Sequence, residues 1–98
     1  MNIGKAIQAL RKSKDLSQEV LAEKAGITQA ALSKIENGTR AGEETLKKIC
    51  EALEISASLL QIYAFEREDV PPQKQLLYDQ LFPVIQQMIE RLANVNAD

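Results

Sequence analysis

The side chains that could do chemistry in this 98-residue chain are concentrated between Ser17 and Gly38. If Gln29 to Asn37 is helical, Gln29, Ala30, Ser33, Lys34 and Asn37 share its outward face. A glutamine amide can bond bidentately to adenine, and a lysine can reach guanine or a phosphate. A serine hydroxyl donates or accepts, and an alanine methyl can touch the methyl of thymine. No bulky or acidic side chain interrupts that face, because the one acid of the segment, Glu36, falls toward its inner C-terminal side.

Other chemistries are poorly supplied. The chain has no His and a single cysteine, Cys50, so it can form no internal disulfide, no thiol–imidazole pair and no Ser–His dyad, and it offers no imidazole to zinc. Carboxylates remain, but a chain this short with two Tyr, two Phe and no Trp has little volume for a substrate pocket. An enzyme is not expected, nor a metal or a cofactor. Cys50 reads as a core filler rather than a redox sensor.

The elements that must position the outward face are short helices. Apolar residues recur at three- and four-residue spacing almost throughout, without the sustained alternation of a strand, so the chain reads as all-α. A first helix is expected over Ile3 to Ser13, capped by Asn2, with Ile3, Ile7 and Leu10 inside. A second starts after the N-cap Ser17, buries Val20, Leu21 and Ala25, and ends at Gly26. Thr28 can cap the third, Gln29 to Asn37, whose Leu32 and Ile35 face inward. A fourth, Glu43 to Leu53, and a fifth, capped by Ser56 and presenting Leu59, Leu60, Ile62 and Tyr63, complete the set. The second and third helices, joined by a short glycine-containing turn, must cross steeply, as in a helix-turn-helix. Ala22 and Ala25 are small where the two approach, and Ile27 can plug the angle between them.

At this point several elements, at consistent spacing over residues 3 to 62, resemble the Cro/C1-type helix-turn-helix family of bacterial and phage repressors, also called XRE. They are Arg11, the run Ser17-Gln18-Glu19-x-Leu21-Ala22, the turn Gly26-Ile27-Thr28, Leu32-Ser33-x-Ile35-Glu36-x-Gly38, and Thr45-Leu46-x-x-Ile49-x-x-Ala52-Leu53-x-Ile55-Ser56. The resemblance implies a five-helix lambda-repressor-like domain whose third helix enters the major groove of double-stranded DNA. It places Thr28, Gln29, Ala30, Ser33 and Lys34 over bases or their flanking phosphates, and Gln18, Asn37 and Arg40 on the backbone. It also implies that Arg11 and Glu36 form a buried ion pair holding the first helix on the third. The chain departs from the family between Gly38 and Thr45, where members usually have one more residue and a Pro-Ser start to the fourth helix and this chain has Thr39-Arg40-Ala41-Gly42-Glu43-Glu44. That departure bears most on Arg40, and Glu43 and Glu44 would repel phosphate if they turned outward.

The formal net charge of −2 hides an uneven distribution. Residues 1 to 42 carry seven basic against four acidic side chains, a balance of +3, whereas residues 43 to 98 carry five against ten, or −5. The cationic half is the one with the polyanion-compatible face, although Lys5, Lys12, Lys14 and Lys24 read individually as solvated surface charges.

Pro71-Pro72 marks the one plausible boundary, between a domain over 1–70, which has enough apolar positions for its own core, and a helical tail over 71–98. Along the tail, Leu77, Leu81, Val84, Ile85, Met88, Leu92 and Val95 recur at helical spacing, widened by Tyr78, Phe82 and Ile89. Pro83 should either kink this helix or occupy its first turn, the helix then starting near Asp79. Such a stripe needs a partner. Homodimerisation through Leu77, Leu81, Ile85, Met88 and Leu92 is the expectation; packing back on the same chain, or binding another protein, is the alternative.

Together these features lead to the expectation of a homodimeric, sequence-specific repressor acting on a palindromic operator, in the cytoplasm, with no membrane span and no secretion signal. Two competing readings remain: the antitoxin of a toxin–antitoxin pair, whose tail would hold the toxin, and a protein-interaction module that does not bind DNA.

Overall fold

Each of the first helices begins where a short polar side chain can accept from a backbone amide that the helix leaves without a partner. Asn2 accepts from the Lys5 amide and starts α1, Ile3–Ser13. Ser17 accepts from Val20 and starts α2, Gln18–Ala25, while Thr28 accepts from Ala31 and starts α3, Gln29–Glu36. α4, Glu43–Leu53, has Gly42 at its cap and no side-chain bond there, so Glu43 and Glu44 supply negative charge to its positive end instead. Ser56 caps α5, Ala57–Tyr63, and after two short 3-10 turns α6 runs over Gln75–Asn94. This computed structural model describes residues 1–95, and among them there is no strand.

The turn between α2 and α3 depends on Gly26, whose φ of 70° is in the left-handed region that a side chain disfavours. Its amide and that of Ile27 close the end of α2 on the carbonyls of Glu23 and Ala22. α2 packs against both α3 and α4, and α1 against α3 and α5. The core between them contains Ile7, Leu10, Leu21, Leu32, Ile49, Leu53 and Leu60, all fully buried. Ala22 and Ala25 are buried as expected, and Ile27 packs against the same cluster. Val20 and Ile62, expected inside, are instead 40% and 46% exposed. Each stands beside a fully buried leucine, at Leu21 and within two residues of Leu60, and a helix of seven or eight residues has only one narrow inward face.

One close approach escapes any reading of local pattern. A Cβ placed on Gly4 would lie 2.2 Å from the Ile35 carbonyl oxygen and 3.0 Å from that of Glu36. The absence of a side chain at Gly4 is therefore what lets the first turn of α1 rest on the end of α3.

The tail is a single helix that passes through Pro83 instead of starting beside it. The bond lost is the one to the Asp79 carbonyl, and both residues are exposed, so water can replace it. α6 is also part of the core. Ile89 is fully buried within the main cluster, Phe82 and Ala93 are buried, and Ile85 packs against the cluster from its edge. This differs from a boundary at Pro71-Pro72 that leaves the first 70 residues with a closed core.

Polar contacts fix the same docking. The Tyr63 hydroxyl donates to Glu90 at 2.5 Å, and Tyr78 donates to the Phe65 carbonyl at 3.1 Å and stacks on Phe82. Lys14 donates to the Ala93 carbonyl in the last turn of α6 and stands 3.6 Å from Glu54, leaving its side chain only 11% exposed. Lys14 is thus not the solvated surface charge its sequence context suggests; it satisfies the negative end of α6. No helix among the described residues is long and apolar enough to cross a membrane.

Candidate nucleic-acid interface

α3 exposes its start and one side. Thr28, Gln29, Ala30 and Lys34 are exposed, Ser33 is half-buried, and Asn37 and Arg40, just past the helix, are exposed. Leu32 and Ile35 are buried on the opposite side. Thr28 has a double capacity: its oxygen accepts from the Ala31 amide at 3.0 Å, and its O–H remains able to donate outward. Lys34 lies in the last turn of α3, where a cation also suits the helix dipole.

What holds this face in place is a buried polar network under it. Arg11 donates from Nε to Glu36 Oε2 at 2.8 Å and from Nη2 to Glu36 Oε1 at 3.1 Å, a two-pronged pair between α1 and α3. Its Nη1 donates to the Leu16 carbonyl at 2.8 Å, which ties the segment leading into α2. Side-chain exposure is 9% for Arg11 and 1% for Glu36. Every buried side-chain nitrogen and oxygen among the described residues has a partner, so the charges are compensated where water is excluded.

Gln18 joins the same network. Its Nε2 donates to Glu36 Oε1 at 3.0 Å, so Glu36 binds one side chain from α1 and one from α2. This bond is not evident in the spacing, because it joins residues on two different helices. It still leaves Gln18 with one amide hydrogen and its carbonyl oxygen for an outside group. The N-terminus of α2 is beside it, where the free amides of the first turn favour an anion.

The loop where the chain departs from the Cro/C1 pattern, between Gly38 and Thr45, keeps Arg40 exposed, but Glu43 and Glu44 are exposed as well. The five tail positions expected at an interface divide. Leu77, Leu81, Met88 and Leu92 are each more than half exposed, whereas Ile85 is half-buried against the chain's own core. Ile62 and Phe65, outside the tail, join the exposed apolar surface.

The sequence profile of the helix-turn-helix family matches residues 7–60, which span α2 and α3 and most of the core that carries them. The chain is also 37% identical, over 71 residues, to the HTH-type transcriptional repressor RghR of Bacillus subtilis. That match covers 70% of this chain and 53% of the relative, so the chain spans about half the length of the repressor it matches. No solved structure matches the chain. With the matched segment containing two short helices joined at Gly26 and an exposed polar side on the second of them, the chain belongs to the Cro/C1-type (XRE) helix-turn-helix family of DNA-binding transcriptional regulators.

Proposed function

We propose that the protein is a homodimeric repressor that binds a palindromic operator with α3 of each subunit in the major groove. The observation that carries this reading is the row of exposed Thr28, Gln29, Ala30 and Lys34, with half-buried Ser33 between them, on a helix whose other side is locked by Arg11 and Glu36. Base readout requires side chains held in register, and a helix anchored at its far end by a buried bidentate pair provides that. In this reading Gln29 and Lys34 discriminate bases, and Ala30 meets a thymine methyl. Gln18, Asn37 and Arg40 bond phosphates that set the register without reading sequence. The repressor named among the relatives supports the direction of regulation.

Phosphate-facing cations are few, and Lys14 and Arg11 are engaged inside the chain. Each subunit therefore holds DNA weakly, and affinity depends on two half-sites about one helical turn apart being occupied together. Footprinting on the DNA upstream of the protein's own gene tests this. The expected result is a two-fold symmetric protected region that disappears steeply with salt; uniform coating without a preferred site would contradict it.

A further inference from the structure

The exposed side of α6 has a regularity that points to its occupant. Leu81 and Met88 stand equally far from the point between Val84 and Ile85, and so do Leu77 and Leu92; that point is also the midpoint of Gln75–Asn94. Leu77, Leu81, Val84, Met88 and Leu92 are each more than half exposed. The four side chains Leu77, Leu81, Met88 and Leu92 are therefore placed symmetrically about that point, which is the condition for this row to pair with an antiparallel copy of itself about a two-fold axis.

The two halves of the row differ in depth. Beside the N-terminal half lies an apolar groove of about 440 Å³, lined by Leu77, Leu81 and Phe82 of α6 and by Ile62, Phe65 and Val70 of the preceding segment. Beside the C-terminal half, Met88 and Leu92 stand more than half exposed. An antiparallel copy brings the projecting half of each helix over the groove of the other, twice.

We propose that α6 pairs with the α6 of a second copy, antiparallel and centred between Val84 and Ile85, with Met88 and Leu92 seated in the partner's α5–α6 groove. This rests on the homodimeric reading above and specifies its contact. Charge supports a like-with-like surface. α6 has only three charged residues; Asp79 is bonded to Arg67 and Glu90 to Tyr63 within the chain, so no carboxylate row faces its own copy. The row Leu77, Leu81, Val84, Met88 and Leu92, each more than half exposed, is a surface of several hundred Å², of the order of the roughly 800 Å² that each partner buries in a standard-size interface. A flexible methionine suits a groove formed by branched and aromatic side chains.

Sedimentation of the wild-type chain and cysteine cross-linking under mild oxidation test the proposal together. Cys50 is buried, and the wild-type chain serves as the control for its thiol. The substituted positions are exposed, and unchanged circular dichroism verifies that the variants fold. The expected result is a wild-type dimer, rapid self-linking of Val84→Cys, and no self-linking of Leu77→Cys or Leu92→Cys alone. Mixing the last two should give a linked heterodimer, because those positions oppose each other. A wild-type monomer would overturn the homodimer itself. A dimer in which Leu77→Cys links to itself, or in which Val84→Cys fails to link, would overturn the antiparallel arrangement and leave the homodimer standing.

Discussion

α3 and α6 are built on the same plan and end with opposite surfaces. Each buries one side in the common core, through Leu32 and Ile35 in α3 and through Ile89 in α6, where Phe82 and Ala93 are buried as well. Each is also fixed at its C-terminal end by a long-range polar contact, Arg11 to Glu36 in one and Lys14 to the Ala93 carbonyl in the other. What remains outside is Thr, Gln, Ser and Lys on α3, and Leu, Val and Met on α6. Directional bonding groups on a rigid helix suit base edges and phosphates, whereas a non-directional apolar row suits another protein surface. The inward side chains secure both helices to one body, and the two helices differ in what they leave outside.

The largest expected effect strikes the α3 side. Glu36→Ala leaves Arg11 buried without its counter-charge and removes the acceptor that Gln18 uses, so stability should fall by about 3–5 kcal/mol. Urea denaturation followed by circular dichroism measures it, and a loss under 1 kcal/mol would mean that the pair does not carry α3.

On the α6 side, Ile89→Ala opens a cavity in the main core and should cost about 2–4 kcal/mol. A chain truncated after Asp69 loses Ile89 altogether and should melt far below the full chain. If instead the truncated chain is as stable as the full one, the tail is an appendage and the comparison fails.

A smaller effect concerns pH. Burial, reinforced by the bond to Glu90, pushes the Tyr63 hydroxyl well above the usual tyrosine range, and burial pushes the Cys50 thiol up as well. Both groups hold their protons more tightly in the folded chain than in the unfolded one. Their contribution is therefore fully present below the unfolded values, about 8.5 for Cys and 10 for Tyr, and is lost as pH rises above them. Denaturation midpoints should stay flat from pH 7 to about 8.5 and then fall, with the fall above pH 10 shallower in Tyr63→Phe.

The helices α1 to α5 are legible in the sequence because their signals are local: Asn2, Ser17, Thr28 and Ser56 each cap within three residues, and the Gly26 amide closes the end of α2 on the Glu23 carbonyl three residues back. The polar face of α3 is legible for the same reason. The path of α6 is not, because Pro83 argues locally for a break while the helix is held by Ile89, buried in the main core among distant segments. Gly4 under Ile35, Gln18 on Glu36 and Lys14 on Ala93 are equally hidden, since each depends on residues brought together only by the fold. Val20 and Ile62 show the same limit in short helices, where spacing alone does not decide which flank of the stripe is covered.

The central claim is that the outward face of α3 reads DNA, and the direct measurement is a gel-shift titration of wild type against the Gln29→Ala, Lys34→Ala double variant on the protein's own upstream fragment. Both residues are exposed and neither carries the fold, so circular dichroism should be unchanged. The specific band should weaken by at least tenfold, as expected when two base contacts of about 1–3 kcal/mol each are removed. An unaltered band with an intact fold would contradict it.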